Sequence, residues 1–154
     1  MKNYIIPLII ALLAQLFLSN VLSIRGVKPD FIIIFMIYFA LNQGSFRGVV
    51  VGFTLGLVIS IFDSSPEIGV LPLTYSILGY GFGLLSNYKQ QLASIKFNVY
   101  CYFLIFFSFF VYNYFLFDSI FYNDFSLFII YWFKNMIYTV TLIVIFQLIF
   151  PFRK

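Results

Sequence analysis

The nine residues from Gly48 to Gly56 read GVVVGFTLG, and they decide how this chain folds. The three glycines recur at every fourth position inside an uncharged apolar run that continues to Phe62. On an α-helix, Gly52 and Gly56 lie about 40° and 80° around the axis from Gly48, so all three form one narrow groove. This small-xxx-small pattern is typical of transmembrane helices that pack closely against another backbone. We therefore expect this segment to be a membrane-spanning helix.

The composition of the whole chain indicates a lipid environment. Hydrophobic residues make up 63% of its 154 residues, and only 9% are charged. A soluble domain usually draws about 25% of its residues from Asp, Glu, Lys and Arg. Six helices of about 20 residues would occupy roughly 120 positions, which leaves no room for a separate globular domain. We therefore expect an all-α integral membrane protein.

Charge-free intervals locate the spans, because a charged side chain at the bilayer centre costs about 2.5–3.5 kcal/mol. Four long intervals predict strong spans, the last of them with Lys134 near one interface. Two shorter apolar runs between Asp30 and Asp63 predict a hairpin of short helices, with a single re-entrant loop as the alternative. The prediction is a single transmembrane domain over residues 1–154, a six-transmembrane-helix bundle with spans at about 4–24, 29–43, 47–63, 68–86, 97–117 and 131–150.

The second predicted span is short for a membrane. A helix over residues 29–43 reaches about 22 Å at 1.5 Å per residue, whereas the hydrocarbon core is about 30 Å thick. Local thinning of the bilayer or burial against neighbouring helices must cover the difference.

The charges sort between the two sides of the membrane when six spans place both termini together. With cytoplasmic termini, all five acids lie outside. The inner side then holds basic charges alone: Lys2, Arg47, Lys89, Lys96, Arg153 and Lys154. An excess of Lys and Arg in short loops marks the cytoplasmic side of a membrane protein. We therefore predict N-in/C-in topology.

Residue counts exclude whole classes of chemistry. The chain contains no His and one Cys, so zinc sites built from His and Cys and a Ser-His-Asp triad are excluded. The basic residues are scattered singly, which does not indicate nucleic-acid binding. Asp63 and Glu67 are close in sequence, but beside Pro66 they indicate a turn rather than a metal site. We therefore nominate no catalytic, cofactor-binding or metal-binding residue.

The glycine groove has a predicted partner on the following span. Ser76, Gly79 and Gly83 recur at spacings of three and four, so they share one helix face. Asp63 falls in the middle of the first groove, at the outer end of its helix. Packing between the two helices, a surface for another protein and a transport pathway are interpretations that the sequence leaves open. The predicted helix-packing or partner seam consists of Gly48, Gly52, Gly56, Asp63, Ser76, Gly79 and Gly83.

A second motif, Lys28-Pro29-Asp30, lies just before the second span. Proline at a helix start and an acid in the first turn are ordinary helix-initiation residues. A Lys28–Asp30 pair at the interface would contribute only about 0–1 kcal/mol. Other polar side chains are able to form hydrogen bonds between helices, at about 0.6 kcal/mol each. They are Gln15, Asn98, Asn113, Thr139, Thr141 and Gln147.

Together these motifs resemble the family of the rod shape-determining protein MreD. The resemblance rests on the Lys-Pro-Asp motif at 28–30, the Gly52–Leu57 segment after a short second span, and Gly69 before an apolar span through Tyr80. It covers roughly residues 25–85. The helix arrangement of the family is similar to that of the substrate-binding subunits of energy-coupling-factor transporters, and the resemblance implies the same arrangement here.

One position departs from the family pattern. The family often carries an acid four residues after the second glycine of the segment, where this chain has Ser60. Asp63 stands three residues further along, and the sequence leaves open whether it replaces the family acid.

The resemblance implies a non-catalytic component of the bacterial complex that elongates the cell wall and maintains cell shape. Its location would be the cell inner (cytoplasmic) membrane, which it crosses several times. The implied partners are membrane lipid, an MreC-like protein and, through it or directly, a class B penicillin-binding protein, RodA and MreB, with no nucleic acid and no cofactor.

Two other functions compete with this interpretation. One is the substrate-binding subunit of a small-molecule, vitamin-like membrane transporter, because an apolar pocket needs few charges. The other is a membrane-embedded enzyme, which would need catalytic groups clustered at one face.

Overall fold

The structure is a computed structural model that describes residues 4–24, 27–62 and 69–152. Within these ranges the long elements are all helical, which confirms the expected all-α class. In chain order they are α1 (Ile5–Leu13), a π-helical turn (Ala14–Leu18), α2 (Ser19–Val21), α3 (Phe31–Gln43), α4 (Ser45–Phe62), α5 (Val70–Tyr88), α6 (Ser94–Leu116), α7 (Asp118–Asn123) and α8 (Phe125–Ile149).

Three of the described helices, α4, α6 and α8, are long and apolar enough to cross a membrane. The segments Ile5–Val21 and Phe31–Gln43 are apolar but shorter. At 19 residues α5 has the length of a span, but its Gly, Ser, Thr and Tyr residues make it less apolar. Because α3, α4 and α6 pack around α5, much of this small and polar surface contacts protein instead of lipid.

At the centre of the bundle lies α3. Its residues from Ile32 to Ile37 are all buried, so every face of the helix contacts protein. It packs against α1, α4, α5 and α8. With 13 residues it is about 20 Å long, shorter than the bilayer core of about 30 Å. Burial against neighbours, one of the two expected explanations, accounts for a short apolar helix in this position.

The turn between α3 and α4 consists of Gly44 alone. Its φ of 83° lies in the left-handed region, where a side chain would be strained. A Cβ added at Gly48 would lie 3.1 Å from the Ala40 Cβ, and one at Gly52 would lie 2.9 Å from the Met36 Cε. The two helices are therefore antiparallel and tightly packed. In this hairpin α4 is not short, because it extends over 18 residues.

On the other side of the bundle α6 and α8 pack together, and α7 joins them. Because Asp124 caps it, α8 begins at Phe125, six residues before the predicted span. The Asp124 carboxylate accepts hydrogen bonds from the backbone N–H groups of Ser126 and Leu127, at 3.1 and 3.2 Å. This earlier start places Lys134 at the tenth position of the helix instead of near its end.

Candidate functional site

The glycine face of α4 fits against the backbone of α5. A Cβ added at Gly48 would lie 2.5 Å from the Gly79 carbonyl oxygen. One added at Gly52 would overlap the carbonyl oxygen of Tyr75. Backbone atoms cannot rotate away as a side chain can, so both positions require glycine at this helix separation.

This close packing continues towards both ends of the α4–α5 pair. A Cβ at Gly56 would overlap the Pro72 Cα and lie 2.8 Å from the carbonyl carbon of Leu71. At the opposite end, a Cβ at Gly83 would overlap the backbone of Ser45. The contacts advance along α4 as they recede along α5, so the two helices are antiparallel with their backbones in contact.

The predicted seam also includes Ser76 and Asp63. Ser76 is half-buried, and its hydroxyl donates to the Pro72 carbonyl oxygen of its own helix at 2.7 Å. Asp63 lies outside the described residues. The structure thus brings together the five glycines of the nominated set: Gly48, Gly52, Gly56, Gly79 and Gly83.

The Lys-Pro-Asp motif leads into a polar cluster at the start of α3. Asp30 caps this helix, because its Oδ1 accepts a hydrogen bond from the backbone N–H of Ile33 at 3.1 Å. Its Oδ2 accepts from the Tyr75 hydroxyl of α5 at 2.6 Å. The backbone N–H of Asp30 donates to the Thr139 Oγ1 of α8 at 3.3 Å. One residue therefore connects three helices.

A fourth element completes this cluster. The backbone N–H of Phe31 donates to the Gln15 Oε1 of the π-helical turn at 2.8 Å. The first N–H groups of a helix have no partner within it, and here Gln15, Asp30 and Thr139 supply those partners. We name Gln15, Asp30, Tyr75 and Thr139 the Asp30 cluster.

A cavity of about 660 Å³ adjoins the Asp30 cluster. Thr139 lies fourteen residues from the start of α8, about 21 Å along its axis, so α3 begins deep inside the bundle. Irregular backbone at such depth is tolerated where it lines a cavity. Among the described residues, no three potential metal ligands come together. The polar lining of the cavity includes Gln15, Lys28, Asp30, Tyr75, Lys134 and Asn135.

Comparison with known families now identifies the chain. The family model of the rod shape-determining protein MreD matches residues 2–152. The chain belongs to the MreD family. It is therefore a shape-determining membrane component of the rod complex. No curated protein and no solved structure matches the chain.

The match to MreD includes the first and last helices. Polar side chains also connect the last helix, α8, to α6. The Asn135 Nδ2 of α8 donates to the Asn113 Oδ1 of α6 at 2.9 Å. The Gln147 Nε2 donates to the Asn98 Oδ1 at 3.3 Å. The hydroxyl of Thr141 donates to a carbonyl of its own helix instead. Most of the polar residues nominated from the sequence therefore do connect helices.

Sequence reasoning missed two residues of the site. Tyr75 is buried beside the nominated Ser76, and a tyrosine in a span gives no signal that a carboxylate lies opposite. Asn135 lies next to Lys134, where an interface was expected, so its bond to another helix was not anticipated.

Ser60 occupies the position where the MreD resemblance expects an acid. Its side chain is buried, and its hydroxyl has no hydrogen-bond partner in the part of the chain that the structure describes. One turn after Gly56, this chain thus has a small neutral side chain where the family often has a charge.

Proposed function

We propose that the chain is a non-catalytic scaffold of the rod complex, with six membrane spans and both termini in the cytoplasm. The spans would be Ile5–Val21, α3, α4, α5, α6 and α8. The antiparallel packing of α4 with both α3 and α5 supports the alternating direction that this topology requires. In this orientation the capping carboxylate of Asp124 lies on the outer side, as the sorting of charges predicts, and Asp30 caps the outward-facing start of α3 deeper in the bundle.

The observation that carries the proposal is the MreD match over residues 2–152. The packing supports the proposal, because the helices bury only part of their surface against one another and leave other faces uncovered. Along its 25 residues, α8 buries Phe128, Trp132, Thr139 and Ile143. Its exposed side chains, such as Ile137, are available to helices of other proteins, which associate in lipid through shape-matched packing and hydrogen bonds.

We assign these uncovered faces to the spans of an MreC-like protein. Through it or directly, the chain would reach the class B penicillin-binding protein, RodA and MreB, as the family resemblance implies. Its outer loops would meet periplasmic segments of these partners, since the acids of the chain lie there in the proposed topology. Location as a multi-pass protein of the bacterial inner membrane follows from the same role.

Photo-crosslinking in cells tests the proposed surface. A photoreactive residue would replace Ile137, which is 57% exposed on α8, and the matched control would replace Ile143, which is 1% exposed on the same helix. We expect crosslinks from position 137 to an MreC-like protein and none from position 143. Crosslinks from position 137 to lipid alone would contradict a partner surface on α8.

Cell shape tests whether the rod complex needs the close glycine packing between α4 and α5. Gly52→Leu forces α4 away from the Tyr75 backbone, so we expect rounded cells and loss of the complex on co-purification. Gly81→Ala is the control, because its Cβ would meet the flexible side chain of Leu104. Normal rods with an intact complex in Gly52→Leu would argue against the scaffold. The comparisons give no support to the alternative of a vitamin-like transporter subunit.

A further inference from the structure

A groove of about 700 Å³ separates α1 from the C-terminal end of α8, and α3 forms its floor. We name it the α1–α8 groove. Two polar side chains, Asn42 and Lys89, lie where α3 and α5 end. The rest of the lining is mainly apolar and includes Ile10, Ala14, Phe35, Tyr38, Phe146 and Phe150.

The length of the groove matches one leaflet of a bilayer. Its floor extends over the twelve residues from Phe31 to Asn42, roughly 16 Å along the axis of α3. Half of a hydrocarbon core is about 15 Å deep. An acyl chain from one leaflet would therefore lie along the whole floor.

The lining of the groove favours a lipid as its occupant. The floor on α3 is mainly apolar, and the polar side chains of Asn42 and Lys89 lie together at one end. A phospholipid has the same division, with an apolar acyl chain and a charged headgroup at one end.

The positive charge of Lys89 favours a lipid with an anionic headgroup. Lys89 is half-buried at the groove end, directly after α5. The Asp124 carboxylate caps the N-terminus of α8 at the opposite end of the bundle, and the Asp30 carboxylate caps the start of α3, about 18 Å along its axis from Asn42. In the proposed topology no acidic side chain of the chain lies on the same side as Lys89, so a lipid phosphate would be a suitable counter-ion for it. Basic pockets between spans on the cytoplasmic side are typical binding sites for anionic lipid headgroups.

We propose that the α1–α8 groove binds one anionic phospholipid of the inner leaflet. Its acyl chain lies between α1 and α8 on the floor of α3, and its phosphate contacts the Lys89 ammonium group. This inference rests on the proposed topology but on none of the proposed partners, so a failure of partner crosslinking leaves it standing.

Native mass spectrometry of the purified full-length chain tests the site. The protein in detergent would be offered phosphatidylglycerol and phosphatidylcholine with identical acyl chains. We expect one phosphatidylglycerol to be retained in preference to phosphatidylcholine. Lys89→Gln should weaken its retention about fivefold, which corresponds to one lysine near a lipid phosphate.

Three further variants separate a specific site from general attraction. Lys96→Gln removes an exposed charge at the start of α6, outside the groove lining, and should leave retention unchanged. Lys89→Arg keeps the charge and should keep the lipid. Ala14→Phe fills the groove and should reduce retention without removing any charge.

Two outcomes would overturn the proposal. One is equal retention of the two lipids by the wild-type chain, and the other is an equal loss in Lys89→Gln and Lys96→Gln. The first outcome is measured on the wild-type chain, so it tests the proposal even where Ala14→Phe fails to fold.

Discussion

The α3–α4–α5 side of the bundle and the α6–α7–α8 side are held together by different atoms. On the first side backbone meets backbone, as where Gly48 lies against Gly79. On the second side ring meets ring, since the Trp132 ring lies 4.3 Å from that of Phe106 and 5.4 Å from that of Phe110.

This difference separates a fixed part of the molecule from an adaptable one. A backbone contact has no rotamer to change, so it tolerates one helix separation. Aromatic side chains hold one another by about 0.5–1.5 kcal/mol per pair, and rotation about χ angles lets them repack. The glycine side therefore sets the shape of the bundle, while the aromatic side is able to adjust to a neighbouring protein.

The largest expected effect comes from Gly52→Leu, which tests the fixed side. The new Cβ would overlap the Tyr75 carbonyl oxygen and lie 2.9 Å from the Met36 Cε, so α4 must move away from both neighbours. Overpacking costs about 1–3 kcal/mol, and occasionally more. We expect a loss of roughly 3 kcal/mol in the free energy of unfolding, measured by SDS titration with circular dichroism. An unfolding curve equal to that of the wild type would contradict the backbone contact.

Next in size is Asp30→Ala, which removes the acceptor of both the Ile33 N–H and the Tyr75 hydroxyl. A lost cap costs about 1 kcal/mol, and an unpaired buried polar group costs about 1–3 kcal/mol. We expect a total loss of about 2 kcal/mol, against about 1 kcal/mol for Tyr75→Phe. Hydrogen exchange of the Ile33 amide should accelerate in Asp30→Ala alone. Equal acceleration in both variants would argue against the capping role.

A smaller effect is expected on the aromatic side. Trp132→Ala removes the ring contacts with Phe106 and Phe110, and we expect a loss of about 1.5 kcal/mol. Trp132→Phe keeps a ring and removes an indole N–H that has no hydrogen-bond partner in the described part of the chain. We expect it to cost about 0.5 kcal/mol in the same SDS titration. Equal losses in the two variants would show that ring stacking is not the source of stability there.

The sequence predicts the glycine side well because helical period alone places its residues on one face. Gly48, Gly52 and Gly56 follow a four-residue spacing, and the structure places all three against α5. The helix α8 begins six residues before the predicted span, because Asp124 caps it ahead of the apolar run. The spacing of residues along the chain thus predicts where helices form, while capping residues determine where the helices begin.

The Asp30 cluster was beyond the reach of sequence patterns. Gln15 and Thr139 were nominated as polar groups within spans, but nothing local says that both bind the start of α3. Asp30 and Thr139 are 109 positions apart, so only the packed bundle brings them together. Chain topology, which periodicity does not encode, decides such contacts.

The smallest expected effect belongs to Gly81→Ala. Like Gly52, Gly81 is a glycine within a helix, but a Cβ added there would meet a side chain instead of backbone. A Cβ at Gly81 would lie 2.8 Å from the Leu104 Cδ2, the far end of a flexible side chain that is free to rotate away. Alanine also favours a helix over glycine by about 1 kcal/mol, which offsets the displacement of the leucine. We expect a change within about 0.5 kcal/mol in the same SDS titration. A loss as large as that of Gly52→Leu would show that glycine contacts with side chains and with backbone restrict this bundle equally.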